Sequence, residues 1–304
     1  QMYQFGKAGT GVILEEFSPS NFLQAVQEHR ITHTILVPTM LNMIVNHPEV
    51  ERYDVSSIRC IIMGGSPLPA PLLRRGREIF GDDFFPRYGM TETYSLGLLL
   101  DRQDQHSDGP ERLTRRLKSA GKPEPGMECR VVNEQGEDVA WGSGEAGEIL
   151  LRGPTVCRGY WNLPEETANA LRDGWMHTGD MATVDEDGYI YIVDRKKDII
   201  ITGGINVYSV EIEQVIATHP AVSMVAVIGV PDEQWGEAIQ ACVVLKPGQT
   251  TTEEEIIRWC RDRLASYKKP KYVQFLTDMP LSGTGKILKR VLRERYWAGL
   301  DRKI

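Results

Sequence analysis

Lys286 is the residue whose setting in the sequence most clearly suggests chemistry. It ends a glycine-rich segment, SGTGK at residues 282–286, near the end of the 304-residue chain. A lysine on a flexible loop can bring a positive charge to a phosphate or a carboxylate. The segment lacks the GxxxxGK[ST] spacing, so it is not a P-loop. Taken alone, it also fits an exposed turn with a solvated lysine.

A glycine pair follows one of the apolar runs that are typical of strands. It belongs to GGSP at residues 64–67, directly after the run IRCIIM at residues 58–63. Glycines here would let the backbone approach a flat ligand such as a purine. An ordinary strand-to-helix turn explains the same residues, so this segment alone leaves both interpretations open.

A second segment, YGMTE at residues 88–92, follows the next predicted strand, residues 84–88. The ring of Tyr88 can stack on a nucleobase. The Thr91 hydroxyl and the Glu92 carboxylate can bind a phosphate oxygen and a Mg²⁺ ion, which prefers few protein oxygens plus phosphate. The alternative is a helix start in which Thr91 is the N-cap and Glu92 favours the helix dipole.

Two charged residues further along could bind a sugar. Asp180 ends the turn GWMHTGD, and one carboxylate can accept hydrogen bonds from both hydroxyls of a ribose. Arg195 lies in the mixed-charge run DRKKD, and an arginine can bridge ribose or phosphate oxygens. The competing interpretations are a turn aspartate and a solvated linker. The pair Gly203-Gly204 is either a simple turn or the lining of a narrow passage.

Strands and helices alternate in the first 95 residues. Strand patterns at residues 32–37, 58–63 and 84–88 are separated by helical patterns that run to Asn46 and over residues 69–80. This order predicts a parallel sheet, and ligands bind such sheets beyond the carboxyl ends of the strands. The sites above follow those ends.

The pattern of predicted secondary structure changes after residue 126. Short strands with glycine-bearing turns over residues 126–193, including Asp187-Gly188, predict a small antiparallel β unit. The charged segment that follows is a reasonable domain boundary, so we expect one domain at residues 1–194 and a smaller α+β domain at 195–304. In the latter, Ser209 can cap a helix, and Thr252 with Glu255 forms a capping box.

Composition excludes several classes of protein. Hydrophobic residues at 41% and charged residues at 25% are ordinary for a globular chain, and no apolar run of 18 or more residues predicts a membrane span. The opening stretch does not resemble a signal peptide. Five scattered cysteines and six histidines without ligand spacing favour reduced thiols in a cytoplasmic protein over disulfides or a zinc site.

Charge is unevenly distributed. Residues 258–304 hold 13 Lys and Arg against 4 Asp and Glu, although the whole chain has a net charge of −7. This is either a solvated basic face or a surface that meets a polyanion such as a nucleotide or CoA. No nucleic-acid signature accompanies the basic residues, so we do not expect a nucleic-acid partner.

Together, and in this order, these segments resemble the adenylate-forming superfamily. That superfamily includes acyl-CoA synthetases, adenylation domains of peptide synthetases and luciferases, and fatty acyl-CoA synthetases look most similar. The motifs that carry the resemblance are YGMTE, HTGD, GYIYIVDRKKDIIITGGINV and SGTGKILKR, and the resemblance as a whole runs from about Thr32 to Arg293. The implied fold is the C-terminal part of a large α/β domain followed by a small mobile α+β domain.

The resemblance implies a role for each matching residue. Lys286 and Thr91 would be catalytic, Glu92 would bind Mg²⁺, and Lys197 would be the hinge between the domains. Gly203 and Gly204 would line the CoA passage. The nucleotide would contact Gly64, Gly65, Ser66, Pro67, Tyr88, Gly89, Met90, Thr91, Asp180, Ile192, Arg195 and Asn206.

The implied reaction joins a carboxylic acid to coenzyme A with ATP and Mg²⁺, through an acyl-adenylate. A fatty or other hydrophobic acid is the expected substrate. Arg87 is a candidate for the acyl pocket, where it could pair with a second carboxylate, or it could simply be structural. Peripheral contact with a membrane and a homodimer are both compatible with the sequence.

Two departures from the family pattern stand out. The Ser/Thr/Gly-rich loop that grips the outer phosphates of ATP is not in this sequence, and we expect it upstream of Gln1. These 304 residues alone should then neither bind ATP tightly nor turn over. The second departure is Ser209, where many relatives have proline, and we expect this exchange to be harmless.

Two other functions stay open. An adenylation domain would transfer its product to a carrier protein, although nothing after Lys286 resembles a carrier domain. A non-catalytic binding fragment is the other alternative, because the phosphate loop is missing from the sequence.

Overall fold

The computed structural model describes residues 9–65, 68–282 and 286–298. Within this part of the chain the strands form three mixed or antiparallel sheets, with helices packed on the first and the third. The α/β class and the small α+β unit at the end of the chain are confirmed.

The first sheet begins with three parallel strands in the order of the chain. Short apolar runs form the strands, and the first two are each followed by a helix that covers the sheet, as in other parallel folds. The strands are β1 (His33–Leu36), β2 (Cys60–Met63), β3 (Phe84–Tyr88), β4 (Leu98–Leu99) and β5 (Lys122–Pro123). The helices are α1 (Pro19–His29), α2 (Pro38–Val45) and α3 (Ala70–Phe80).

The alternating pattern predicted for this region is confirmed to within about two residues. Pro38 begins α2, where its missing N–H costs nothing because the first turn has no partner for it. Strands β4 and β5 were not predicted. They pair antiparallel beside β3 and have only two residues each, too few for any periodic signal.

The second sheet is the predicted antiparallel unit, with strand order β10-β9-β7-β6. The backbone amide of Gly188 donates to the Asp185 carbonyl, which closes the turn between β9 and β10. The strands are β6 (Glu128–Val132), β7 (Gly147–Arg152), β8 (Leu171–Arg172), β9 (Trp175–Val184) and β10 (Ile190–Arg195). The helices that accompany this region are α4 (Glu111–Thr114) and α5 (Pro164–Ala170).

The third sheet has the order β12-β11-β14-β13, and β15 pairs parallel with β14. Its long hairpin is β13–β14, which is apolar and buried on both faces. The strands are β11 (Ile200–Thr202), β12 (Ile205–Val207), β13 (Val222–Asp232), β14 (Gly236–Leu245) and β15 (Tyr272–Phe275). The helices are α6 (Ser209–Ala217), α7 (Glu253–Arg261) and α8 (Lys289–Trp297).

Helix starts in this unit test two predictions. The capping box is confirmed, since the Thr252 hydroxyl accepts from the Glu255 amide and the Glu255 side chain accepts from the Thr252 amide. The prediction that Ser209 caps α6 is wrong. Ser209 is the first residue inside the helix, the N-cap is Tyr208, and no N-cap side chain binds the helix amides.

The buried side chains form separate clusters. Two clusters contain residues from Phe22 to Ile190, and two others contain residues from Ile200 to Leu292. This division fits a boundary near residue 194, which remains a prediction. Among the described residues no helix is long and apolar enough to cross a membrane.

Candidate nucleotide and acyl-transfer site

The glycine pair and Tyr88 lie at the same edge of the first sheet. Strands β2 and β3 are parallel neighbours, so their carboxyl ends meet there. Gly65 has φ +88°, a conformation that side chains disfavour, and a Cβ on Gly64 would lie 3.9 Å from the Arg87 carbonyl oxygen. Ser66 and Pro67, also predicted to bind the nucleotide, lie outside the described residues.

The segment after Tyr88 is a tight turn that ends in a 3-10 helix, Thr91–Thr93. Gly89 is required for packing, because a Cβ there would lie 2.4 Å from the backbone carbon of Ser95. Met90, and not Thr91, is the N-cap of the short helix. Thr91 is exposed at the sheet edge.

Tyr88, Asp180 and Arg195 form a contact cluster. The Tyr88 hydroxyl donates to Asp180 Oδ2 at 2.7 Å, and Arg195 Nε lies 3.4 Å from Asp180 Oδ1. Asp180 on β9 and Arg195 on β10 are direct partners in the antiparallel register. The three residues come from different motifs, and the structure brings them together beside the glycine turn.

Burial shapes the properties of this cluster. Desolvation raises the pKa of Tyr88, with a further rise from the charge of Asp180, so its hydroxyl stays a donor. Asp180 is mostly buried, whereas 54% of the Arg195 side chain is exposed. Ile192, paired with Ala182, packs in the same hydrophobic cluster as Tyr88. A mostly buried carboxylate beside an exposed guanidinium suits a ligand with hydroxyls and negative charge.

Lys286 lies against this edge although it belongs to the small unit. Its Cε would be 3.6 Å from a Cβ placed on Gly65. The loop that carries it is closed by two hydrogen bonds, from the Lys286 amide to Ser282 Oγ and from the Ser282 amide to the Lys286 carbonyl. The side chain is exposed, so its charge is accessible to a ligand.

Glu92 also has a partner that the sequence did not reveal. The hydroxyl of Tyr160 donates to Glu92 Oε1 at 2.8 Å, and the Cys157 amide donates to the Glu92 carbonyl. Burial, followed by the contact with Glu92, raises the pKa of Tyr160 to about 12. The loop at residues 157–160 thus orients the one carboxylate predicted to bind magnesium.

The donor set at Glu92 fits Mg²⁺ held with a substrate. Mg²⁺ is commonly bound by one or two carboxylates plus phosphate oxygens and water. In residues 9–65, 68–282 and 286–298 there is no group of three or more His, Cys, Asp or Glu that could hold a metal without such help. Glu92 with the adjacent Thr91 hydroxyl would therefore hold the ion through the phosphates of a bound nucleotide.

Glu148 is a further residue that the sequence analysis missed. It is buried on β7, where its Oε1 accepts from the Gly179 amide at 3.1 Å, and its Oε2 accepts from Lys196 Nζ at 3.2 Å. Burial acts to raise its pKa, but Lys196, His177 and the Gly179 amide together lower it. Glu148 therefore fixes the turn just before Asp180. Lys196, interpreted as a solvated linker residue, is 60% exposed but contacts this carboxylate.

Arg87 has an internal partner. Its Nη2 lies 2.8 Å from Glu124 Oε2, and Glu124 is buried. Burial raises the pKa of Glu124, and the charge of Arg87 acts against that rise. The charge of the guanidinium is thus paired within the protein through Nη2, which supports the structural interpretation of Arg87.

The remaining candidates lie in the small unit or at its start. Lys197 is exposed in the 3-10 helix Lys196–Asp198, and its carbonyl accepts from Arg293 Nη1 at 2.7 Å. Gly203 and Gly204 form the turn between β11 and β12, where the Gly203 amide donates to the Trp235 carbonyl. Asn206, on β12, is exposed. Of the candidates in this unit, Lys286 is the one that lies close to the described part of the glycine turn, beside Gly65.

Comparisons with known proteins define the class. The family model described as AMP-binding enzyme matches residues 2–161, and the one described as AMP-binding enzyme C-terminal domain matches residues 211–286. The chain therefore belongs to the AMP-binding enzyme family, and the resemblance to adenylate-forming enzymes is confirmed.

Individual relatives agree with this assignment. The chain is 44% identical over 290 residues to a feruloyl-CoA synthase of an Amycolatopsis species, covering 95% of this chain and 57% of that protein. It is 40% identical over 305 residues to the medium/long-chain-fatty-acid–CoA ligase FadD8 of Mycobacterium tuberculosis, covering 98% and 52%. The chain thus spans about half the length of these curated relatives.

A solved structure is also similar. The amide bond synthetase McbA of Marinactinospora thermotolerans superposes with a TM-score of 0.84 at 36% identity. The match covers 95% of this chain and 56% of that protein.

Proposed function

We propose that this chain is part of an ATP-dependent carboxylate–CoA ligase that works through an acyl-adenylate. The observation that carries the proposal is the contact cluster of Tyr88, Asp180 and Arg195, with Lys286 beside the neighbouring Gly65. These groups match the needs of a nucleotide: a ring to stack on, a carboxylate for the ribose and a cation for the phosphate.

In the first half-reaction, the carboxylate oxygen of the acid attacks the α-phosphorus of ATP and pyrophosphate leaves. Tyr88 stacks on adenine and Asp180 accepts hydrogen bonds from the ribose hydroxyls. Lys286 places its charge between the acid and the α-phosphate, where negative charge builds during the transfer. Glu92 would hold Mg²⁺ together with the phosphates of ATP, and the ion would neutralise part of that charge.

In the second half-reaction, the thiol of CoA attacks the acyl carbon and AMP leaves. The small unit rotates about Lys197 and withdraws Lys286 from the glycine turn. Gly203 and Gly204 then line the passage for the pantetheine arm, where side chains would obstruct. Lys197 suits this role because it is exposed and lies between the separate hydrophobic clusters.

The substrate we propose is a hydrophobic carboxylic acid, fatty or aromatic. The names of the two curated relatives, a feruloyl-CoA synthase and a fatty-acid–CoA ligase, support this class. The pairing of Arg87 with Glu124 supports it as well, because an acid with a second carboxylate needs a free cation in the pocket.

We also propose that these 304 residues alone do not complete the reaction. The relatives are nearly twice as long, and the loop expected to grip the outer phosphates is not among these residues. Robust ATP–pyrophosphate exchange by the 304-residue chain on its own would contradict this part of the proposal.

The test is AMP release by the intact protein with a panel of acids, each with and without CoA. We expect release that requires both a hydrophobic acid and CoA, with little activity on dicarboxylic acids. Similarity to an amide bond synthetase supports one alternative, in which an amine is the acceptor, so the panel includes amines and a carrier protein. If AMP release depends on an amine or a carrier protein and not on CoA, then that amine or carrier, and not CoA, is the acyl acceptor.

A further inference from the structure

A buried carboxylate connects the two sides of the hinge. Asp194, near the end of β10, is 2% exposed. Its Oδ1 accepts from the Arg195 amide at 2.8 Å, and its Oδ2 accepts from the backbone amide of Ser209. Ser209 is the first residue of α6, a helix whose own N-cap side chain binds no amide. Asp194 thus caps α6 from the other side of the hinge, and the helix dipole favours its negative charge.

A lysine extends this contact to the helix that follows Lys286. Lys289 is the first residue of α8, three positions after Lys286. Its Nζ donates to Ser209 Oγ at 2.6 Å and lies 2.7 Å from Glu213 Oε1. Burial raises the pKa of Asp194, and the positive charge of Lys289 acts against that rise. The contacts therefore form one buried network from Asp194 to the base of the Lys286 loop.

We propose that Asp194, Ser209 and Lys289 form a latch that holds the small unit with Lys286 at the glycine turn. The proposal rests on the proposed function, because it assigns these positioning residues to the first half-reaction. Asp194 precedes Lys197, whereas Ser209 and Lys289 follow it. Rotation about Lys197 moves the last two away from the first, so the latch contacts exist only in the closed arrangement.

The latch favours the closed arrangement because opening leaves groups without partners. Opening separates Asp194 from the Ser209 amide, so the first amide of α6 loses its charged acceptor and the carboxylate keeps only the Arg195 amide as a donor. A contact made in only one of two arrangements shifts the population toward that arrangement. Weakening the latch therefore reduces the time that Lys286 spends at the site, and with it the rate of adenylation.

Contacts of Arg293 provide a comparison within α8. Arg293 binds the Lys197 carbonyl and lies 2.8 Å from Asp198, at and just after the hinge residue. These partners turn with the small unit when the ψ angle of Lys197 changes, so this contact persists in both arrangements. Loss of Arg293 should slow both half-reactions alike, unlike loss of the latch.

Ser209→Pro is the sharpest variant for testing the latch. The sequence alone leads us to expect proline at this position to be harmless, whereas the contact between the Ser209 amide and Asp194 predicts a loss. Proline has neither the amide that binds Asp194 nor the hydroxyl that binds Lys289. It fits the first position of a helix, and the extended Tyr208, with φ −86° and ψ 119°, suits the residue before a proline. The variant should therefore fold. Ser209→Ala removes the hydroxyl alone and should have the smaller effect.

The first experiment measures the half-reactions separately in the intact protein. Ser209→Pro should slow ATP–pyrophosphate exchange about tenfold, which is the effect expected from a charged hydrogen bond. Thioester formation from preformed acyl-adenylate should be unchanged or faster. Equal slowing of both steps, or no change in either, would overturn the latch. Thr218→Ala, which removes a hydroxyl bound to Trp259 inside the small unit, is the matched control and should leave both steps unchanged.

A second measurement does not depend on activity. Amide hydrogen exchange over residues 196–208 should accelerate about tenfold in Ser209→Pro, while exchange in β13 stays unchanged as an internal reference. Unchanged exchange over residues 196–208 would overturn the latch whatever the activity. Faster exchange in a protein whose wild type forms no adenylate would support the interunit latch and reject the proposed function.

Discussion

The Tyr88–Asp180–Arg195 cluster and the Lys286 loop are positioned in different ways. The cluster is set by strand pairing: Asp180 and Arg195 are register partners, and Tyr88 ends a strand of the adjoining sheet. Lys286 lies on a loop of the small unit, and its side chain lies beside Gly65 at the edge of the first sheet. Binding groups built on strands hold their places, whereas the loop of the proposed catalytic lysine moves with its unit in the proposed reaction.

Because of this difference, we expect substitutions in the cluster to affect nucleotide affinity and substitutions at Lys286 to affect the rate of one half-reaction. Changes in the cluster should weaken nucleotide binding in every step that uses it. Changes at Lys286 or in the docking contacts should affect one half-reaction and spare the other. Each of the following substitutions alters either the cluster and its supporting residues or the positioning of Lys286.

The largest expected effect is that of Lys286→Ala. Removal of a group that stabilises charge in the transition state typically costs about 10²–10³ in rate. We expect ATP–pyrophosphate exchange to fall by that amount, while thioester formation from preformed acyl-adenylate continues. The exposed Lys269→Ala is the matched control. Intact adenylation with a slow thioester step would reverse the assignment of Lys286.

Asp180→Ala should weaken binding of the nucleotide. The carboxylate is the proposed ribose acceptor and the partner of both Tyr88 and Arg195, and a hydrogen bond to a charged group is worth about 1.5–3 kcal/mol. We expect the KM for ATP to rise roughly 10- to 100-fold. Tyr88→Phe keeps the stacking ring and should change KM much less. An unchanged KM in Asp180→Ala would remove this residue from the site.

Lys197→Pro should act on the opposite half-reaction to Lys286→Ala. Proline restricts the backbone rotation that withdraws Lys286, so thioester formation should slow about tenfold while adenylation is largely kept. The two half-reactions are measured separately, as for Lys286. If adenylation is the step that suffers, Lys197 is not the hinge.

The smallest effect concerns stability at acid pH. The pKa of Glu148 is below its ordinary value of 4.5, so its contribution is present above that value and is lost as the pH falls through the folded-state pKa. Glu148→Gln should therefore flatten the dependence of unfolding free energy on pH below about pH 5. Denaturant unfolding at several pH values measures it. If the unfolding free energy of the variant depends on pH as steeply as that of the wild type, Glu148 contributes nothing to stability in this pH range.

Local sequence signals predicted much of the fold. Strands β1 to β3, their helices and the Asp187-Gly188 turn follow from apolar periodicity and turn chemistry, which act over a few residues. The prediction that Ser209 caps α6 failed because the contacts of this residue are long-range and not local. Its residue type suits an N-cap, yet its partners are Asp194 and Lys289, which are 15 and 80 positions away.

The candidate site shows the same division. Tyr88, Asp180 and Arg195 are recognisable from their motifs, and the structure brings them into contact. Glu148 and Tyr160 were missed because neither lies in a distinctive motif. Their roles depend on neighbours about 30 to 70 positions away in the chain. Arg87 has the type and place of a pocket residue, but its partner Glu124 was invisible to local reasoning.

The sequence by itself determined the family, the order of the motifs and the residue types that can bind a nucleotide, because these are properties of short segments. Tertiary structure decided which charges are free to act. Arg87 is paired with the buried Glu124, Lys286 is exposed beside Gly65, and Asp194 is bound to the amide of Ser209. The physical reason is that pairing and desolvation depend on contacts between distant segments, which only the folded chain creates.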